Sequence, residues 1–170
     1  MGKKSIKENK NIYQITREEL GLTRDKASEL LEYISSDRIE KIESEKSLPH
    51  PDEVLKMSKC YKKPEMCNYY CTHECEIGRE TMQIIKPKDL YQVAIQIEHA
   101  VNELYRDRER FVGIVEDGKI TEDEIEDFKI VQKQLRYISQ ATNSLNLLIQ
   151  KMIYDNEISE EAYLGNEEDD

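Results

Sequence analysis

The chain has no tryptophan, two phenylalanines, six glycines and four prolines in 170 residues. So few turn-forming residues leave little room for an all-β design, which needs a tight turn every few residues. No apolar run is long enough to cross a bilayer, and no secretory leader opens the chain. The Met-Gly start has Ile6 where a myristoylation signal needs serine or threonine. A cytoplasmic protein with no membrane partner is expected. Catalytic signatures are also missing: there is no His-Glu-x-x-His, no phosphate-cradling glycine loop and no nucleophile elbow. Glu98, His99 and Glu103 share a helical stretch, but the partner helix offers no histidine to complete a carboxylate–histidine metal site. A solvated face is expected there, and the protein as a whole is expected not to be an enzyme.

What is present is charge and helix-forming residues. Charged residues make up 36% of the chain and hydrophobic ones 38%, with Glu, Lys, Leu and Ile abundant, which predicts an all-α fold. The net charge of −11 is uneven. Residues 1–65 hold 14 Lys+Arg against 13 Asp+Glu, and residues 66–170 hold 11 against 23. A boundary between residues 65 and 88 follows, with a neutral-to-basic end that phosphate would not repel. Residues 1–10 carry Lys3, Lys4, Lys7 and Lys10, which read either as a basic arm on DNA or as a solvated terminus.

The stretch Thr23–Glu43 reads as two short helices joined by a tight turn. Ala27, Leu30, Leu31 and Ile34 form a small core, Ile39 and Ile42 follow at a spacing of three, and Ser35 or Ser36 can cap the second helix. A first helix over residues 11–21 turns Ile12, Ile15 and Leu20 inward and closes at Gly21. Ser47 to Pro51 reads as a loop because two prolines disfavour helix, and a further helix starts with Asp52 as its N-cap.

Arg17, Gly21-Leu22-Thr23, Ala27-Ser28, Leu31, Ile34-Ser35, Ile39, Ile42-Glu43 and a proline at 49 or 51 agree in order and spacing with one family. Over about residues 10–65 the chain resembles the Cro/repressor-type (Xre-like) helix-turn-helix domains. Glu32 stands where that family usually has glycine, and Arg24 where it often has glutamine. The resemblance implies a five-helix DNA-binding domain whose contacts with double-stranded DNA fall at or beside Arg24, Ser36, Asp37, Arg38, Glu40, Lys41 and Lys46. Arg38 would read guanine, since its fork matches two acceptors. Lys41, Lys46, Arg24 and Ser36 suit phosphate, and Glu43 would be structural. The function implied is a sequence-specific transcriptional regulator, a repressor working as a homodimer on a palindrome. Two acids on the second helix, Asp37 and Glu40, support an alternative: a protein-interaction module that keeps the fold but uses this acidic helix and a hairpin in the C-terminal half to bind protein.

All four cysteines fall in one window, Cys60, Cys67, Cys71 and Cys75, with His73 between the last two. Three readings stand: a zinc site of four thiolates, His73 being a substitute ligand; buried free thiols on one helical face; or disulfides. No cofactor is otherwise required. Residues 66–87 would form the junction between domains. From residue 88, Leu90, Ala94, Ile97, Val101, Leu104, Phe111 and Val115 repeat at alternating spacings of four and three. A second seam runs through Phe128, Val131, Leu135, Ile138, Thr142, Leu145, Ile149 and Met152. Asp117-Gly118 separates them, and Thr121 with Glu124 forms a capping box. The turn mimics the end of a calcium loop, but Gly113 and Val115 stand where two ligands are needed, so it reads as a helix cap. A long antiparallel hairpin over 88–164 is predicted, dimerising through Leu90, Ile97, Val101, Leu104, Leu135, Ile138, Leu145 and Ile149. An acidic tail, 165–170, follows and is expected to be disordered. Neither operator nor small effector can be read from this pattern.

Overall fold

The computed structural model describes residues 10–115 and 118–165, and helices supply all the regular structure there. The protein is all-α. Lys3, Lys4 and Lys7 of the basic arm, Asp117 of the turn and the tail from Asn166 lie outside the described residues. Among the described residues no helix is long and apolar enough to cross a membrane. The chain divides into two compact units, residues 1–84 with 150–170, and residues 85–149.

In the first unit, α1 (Ile12–Glu19), α2 (Arg24–Leu31), α3 (Ser36–Glu43) and α4 (Pro51–Cys60) start at Asn11, Thr23, Ser35 and His50. The first three starts are side-chain caps, with an oxygen accepting from an amide three residues on. The fourth differs from the expected Asp52. Pro51 occupies the first helical position, where its missing N–H costs nothing, and the Glu53 carboxylate accepts from the His50 amide at 2.7 Å.

The helix ends are less regular in sequence than in geometry. After α1, Gly21 takes φ +68° while the Leu22 amide reaches back to the Arg17 carbonyl. The same closure follows α3 and α4, yet Glu45 (φ 61°) and Lys62 (φ 55°) occupy the left-handed position there. Between α2 and α3, Glu32 (φ 63°, ψ −69°) centres a three-residue turn closed by the Tyr33 amide on the Leu31 carbonyl at 2.8 Å. That is a strained conformation for a side chain larger than glycine.

The core gathers Tyr13, Ala27, Leu31, Ile34, Ile39, Ile42, Val54, Met57, Tyr61 and Met66. Three residues expected inside, Ile15, Leu20 and Leu30, are instead exposed. The phase of α1 places Tyr13, Gln14, Thr16 and Arg17 inward. Polar groups therefore occupy its inner face, with Arg17 bonded to Glu43 and the Gln14 side-chain amide donating to Glu18 at 2.8 Å.

The segment expected as a junction is two further helices of this unit, α5 (Glu65–His73) and α6 (Glu76–Thr81), followed by irregular chain over 82–89. α5 packs on α4 and α6 packs on α5. The second approach is close enough to need glycine: a Cβ on Gly78 would lie 2.1 Å from the Cys71 carbonyl oxygen.

The second unit holds α7 (Leu90–Arg106), α8 (Arg108–Val115) and most of α9 (Ile125–Tyr154), which a 3₁₀ turn at Glu122–Glu124 introduces. The expected capping box is present, with Glu124 accepting from the Thr121 amide at 2.9 Å. The last turn of α9 and α10 (Glu160–Leu164), capped by Ser159, belong to the first unit, where Tyr154 bonds the Ser58 side chain. In the second unit Asp107 meets Gln134, and further on Arg110 meets Asp127 at 3.0 Å. The partners run backwards along α9 as the chain advances through α7 and α8.

The seam is displaced by one residue over most of its length, though Val131 is buried as expected. Val93 and Ala100 are buried where Ala94 and Val101 were expected, and on α9 the buried set is Val131, Gln134, Ala141, Ser144 and Leu147. Of the residues named for dimerisation, Leu90, Val101 and Leu135 are exposed, and Ile97, Leu104, Ile138, Leu145 and Ile149 are half-buried. Heptad spacing gives the period of a seam but not which of two adjacent stripes faces inward. Small and polar residues share the inner stripe with Val93, Ile114, Val131 and Leu147.

Gly78→Ala tests the α5–α6 contact. Because the added methyl meets backbone rather than a movable side chain, the variant is expected to lose about 1–3 kcal/mol in urea unfolding.

Candidate nucleic-acid interface

Three helices meet at one carboxylate. Glu43, 1% exposed at the end of α3, accepts from Arg17 Nε at 2.5 Å and Nη2 at 2.9 Å, and from Arg24 Nε at 2.8 Å. Arg17 also donates to the Leu22 carbonyl at 2.5 Å. The hydrogen bond to Glu43 is the main influence raising the Arg17 pKa above its ordinary value, against the lowering effect of burial. One acid thus ties α1, α2 and α3 together, which agrees with the structural role expected of it. Asn11 adds a bond from its side-chain amide to the Ile42 carbonyl at 2.8 Å.

α3 consequently leans on the core through Ile39 and Ile42 and turns its other side outward. Asp37 and Lys41 are exposed there, and Ser36 is half-buried at the first turn. Asp37 sits where the helix dipole favours an anion.

Arg38 lies otherwise than expected. Expected to offer its fork to guanine, it is held against the protein. Nε and Nη2 donate to the two Glu53 oxygens at 2.7 and 2.6 Å, Nη1 donates to Ser47 Oγ at 2.6 Å, and Nη2 also to the Leu48 carbonyl at 2.8 Å. In this arrangement the fork faces the Glu53 carboxylate and not the outward side of α3. It staples α3 to the start of α4. Burial raises the Glu53 pKa, but the Arg38 guanidinium and the His50 amide outweigh it and hold the carboxyl below the ordinary range. Two of the other named cations are paired too: Arg24 with Glu43, and Lys46 with Glu40 at 2.9 Å. At the edge of the unit Lys10 bonds Glu18 and Lys56 bonds Glu32.

The cysteines are distributed along the α4–α6 segment. Cys60 and Cys67 pack against the core, and Cys60 Sγ faces the Leu30 carbonyl at 3.6 Å. Cys71 follows one turn after Cys67, and Cys75 caps α6 by accepting from the Gly78 amide at 3.4 Å. Burial is the main cause raising the Cys71 thiol, with Cys75 and then Cys67 adding to it. All four are free, and among the described residues no three His, Cys, Asp or Glu side chains gather as a metal site. His73 stacks on Tyr69 at 4.3 Å with its Nδ1 near Thr72 Oγ1 and the Tyr69 carbonyl. It is occupied with local packing. Next to it the Tyr13 hydroxyl donates to Glu74 at 2.8 Å, and burial together with that bond raises the Tyr13 pKa strongly.

Glu53 was not foreseen as the partner of Arg38. The signal was available: a glutamate three residues after His50 and next to Pro51-Asp52 marks the third position of a helix start. No family model, curated protein or solved structure matches the chain.

Arg38→Ala should lower stability at pH 7 by about 1–3 kcal/mol, because Glu53 is left in a largely enclosed place without its cation. The pH dependence has a fixed sign. With its native pKa held below 4.5, Glu53 contributes stability above pH 4.5 that disappears as pH falls through the lowered value. Wild type and variant should therefore converge in urea midpoint as pH falls from 4.5 through the lowered value.

Proposed function

We propose that the protein is a sequence-specific DNA-binding regulator of the Cro/repressor (Xre-like) kind, acting as a homodimeric repressor. The observation that carries this reading is α3 itself. It is a short helix with a capped N-terminus, its apolar side seated by Ile39 and Ile42 and its polar side outward. Lys41 and Ser36 would make phosphate contacts, and Asp37 would accept from a cytosine amino group. Arg24, Arg38 and Lys46 would act indirectly by fixing the frame. With so many cations paired internally, few counterions would be released on binding, so affinity would fall only gently with salt. The exposed Leu90, Val101 and Leu135 offer apolar surface for a second copy, which would supply the two-fold symmetry a palindrome needs.

A second reading is favoured by the same charge pairing. A helix-turn-helix surface with Asp37 outward and most cations spent internally also fits a protein partner. The two readings separate by capture of fragmented genomic DNA with the full chain, using Lys41→Ala as the control rather than Arg38→Ala, which damages the fold. The regulator reading expects a recurring palindrome that the control enriches at least about tenfold less. Equal recovery by both proteins at low salt would favour the protein-interaction reading.

A further inference from the structure

Besides its buried stripe, the α7–α8 segment carries a second one. Ala94 and Val101 each follow a buried residue, Val93 and Ala100, and one position is about 100° around a helix, so both are turned aside from the core. Ala94, Glu98, Val101, Tyr105, Arg108 and Val112 are all exposed and recur at spacings of four, three, four, three and four. The helical ladder continues through the break at Asp107, whose amide bonds the Glu103 carbonyl at 3.2 Å and whose carbonyl accepts from the Phe111 amide at 2.9 Å. An exposed stripe with heptad spacing is the pattern by which one helix meets another.

The charges on this stripe select the partner. Among the described residues Glu98 and Arg108 form no ion pair, whereas the charges around them do: Glu103 pairs with Arg106, and Arg110 with Asp107 and Asp127. The spacing reads the same from either end. A second copy laid antiparallel therefore brings Ala94 opposite Val112, Glu98 opposite Arg108 and Val101 opposite Tyr105, each contact made twice by symmetry. Laid parallel, Glu98 and Arg108 would each meet their own counterpart, and like charges repel. A pair of opposite charges within a helix seam adds little net affinity but fixes orientation and register.

We propose that the exposed stripe of α7–α8 docks a second copy of this chain, antiparallel about a two-fold axis between Val101 and Tyr105, with two reciprocal Glu98–Arg108 ion pairs. Val101, Tyr105 and Val112, each more than half exposed in the single chain, supply the apolar contact. This interface specifies the homodimer of the regulator reading, and rests on that reading only for its use on DNA.

The test is sedimentation equilibrium of the full chain at low salt, on wild type, Glu98→Arg, Arg108→Glu and the double reversal Glu98→Arg/Arg108→Glu. Both positions face water in the single chain, so helicity by circular dichroism should be unchanged. Wild type is expected to dimerise, each single reversal to weaken the dimer at least about tenfold, and the double reversal to return to within about threefold of wild type. A wild type that stays monomeric at every concentration, single reversals with wild-type association, or a double reversal no better than the singles overturns the interface. No DNA is present in this measurement. Dimerisation in the expected pattern without a captured palindrome would therefore uphold the interface and count against the regulator reading alone.

Discussion

The buried carboxylate of Glu43 is the constraint on which the first unit depends. An ionised acid removed from water is tolerated only when several donors surround it, and here Arg17 supplies two and Arg24 a third. Because those donors come from α1 and α2 while the acid ends α3, satisfying one charge fixes the relative placement of three short helices. None of them exceeds eight residues, a length at which isolated helices do not persist in water. The apolar residues supply the driving force. The ion cluster selects the arrangement, since any slip would strand a charge in the core.

Charge elsewhere follows a similar pattern. Arg38 and Glu53 join α3 to α4, Lys46 and Glu40 close the loop after α3, and Lys56 reaches back to Glu32 in the strained turn. Only the first of these is well enclosed, and the exposed pairs contribute little to stability. Their functional consequence is larger. Each neutralises a lysine or arginine that would otherwise contribute to a positive surface, so the outward side of α3 is polar and nearly balanced in charge. Recognition by such a surface would rest on hydrogen bonds and fit more than on long-range attraction.

How much of this was legible depended on whether a single residue type announces a geometry. Ser35, Thr121 and Gly21 do so, and the helix starts and the stop they predict are where they were expected. Glu45 and Lys62 adopt left-handed backbone without glycine, so the ends of α3 and α4 carried no signal. Pro51 signalled a break and was in fact a helix start, because a proline's effect depends on its position within the turn. In the second unit the helical period was readable and its phase only in part, as at Val131. Alternation of large apolar residues marks a stripe, but Ala100, Ala141, Ser144 and Gln134 share the inner face with Val93, Val131 and Leu147 and leave Leu90 and Val101 outside. Arg38 shows the limit most clearly. Its position on α3 was correct, while its direction was set by Glu53, fifteen residues away and on another helix.

The most direct measurement is urea unfolding of Glu43→Ala beside wild type, with the Arg17→Met/Glu43→Leu pair as a third protein. If Glu43 fixes the three helices, the single variant loses about 3–5 kcal/mol because Arg17 is left buried and unpaired, and the double variant recovers much of it. A loss below about 1 kcal/mol in Glu43→Ala would contradict the account and return the arrangement of α1, α2 and α3 to the apolar core alone.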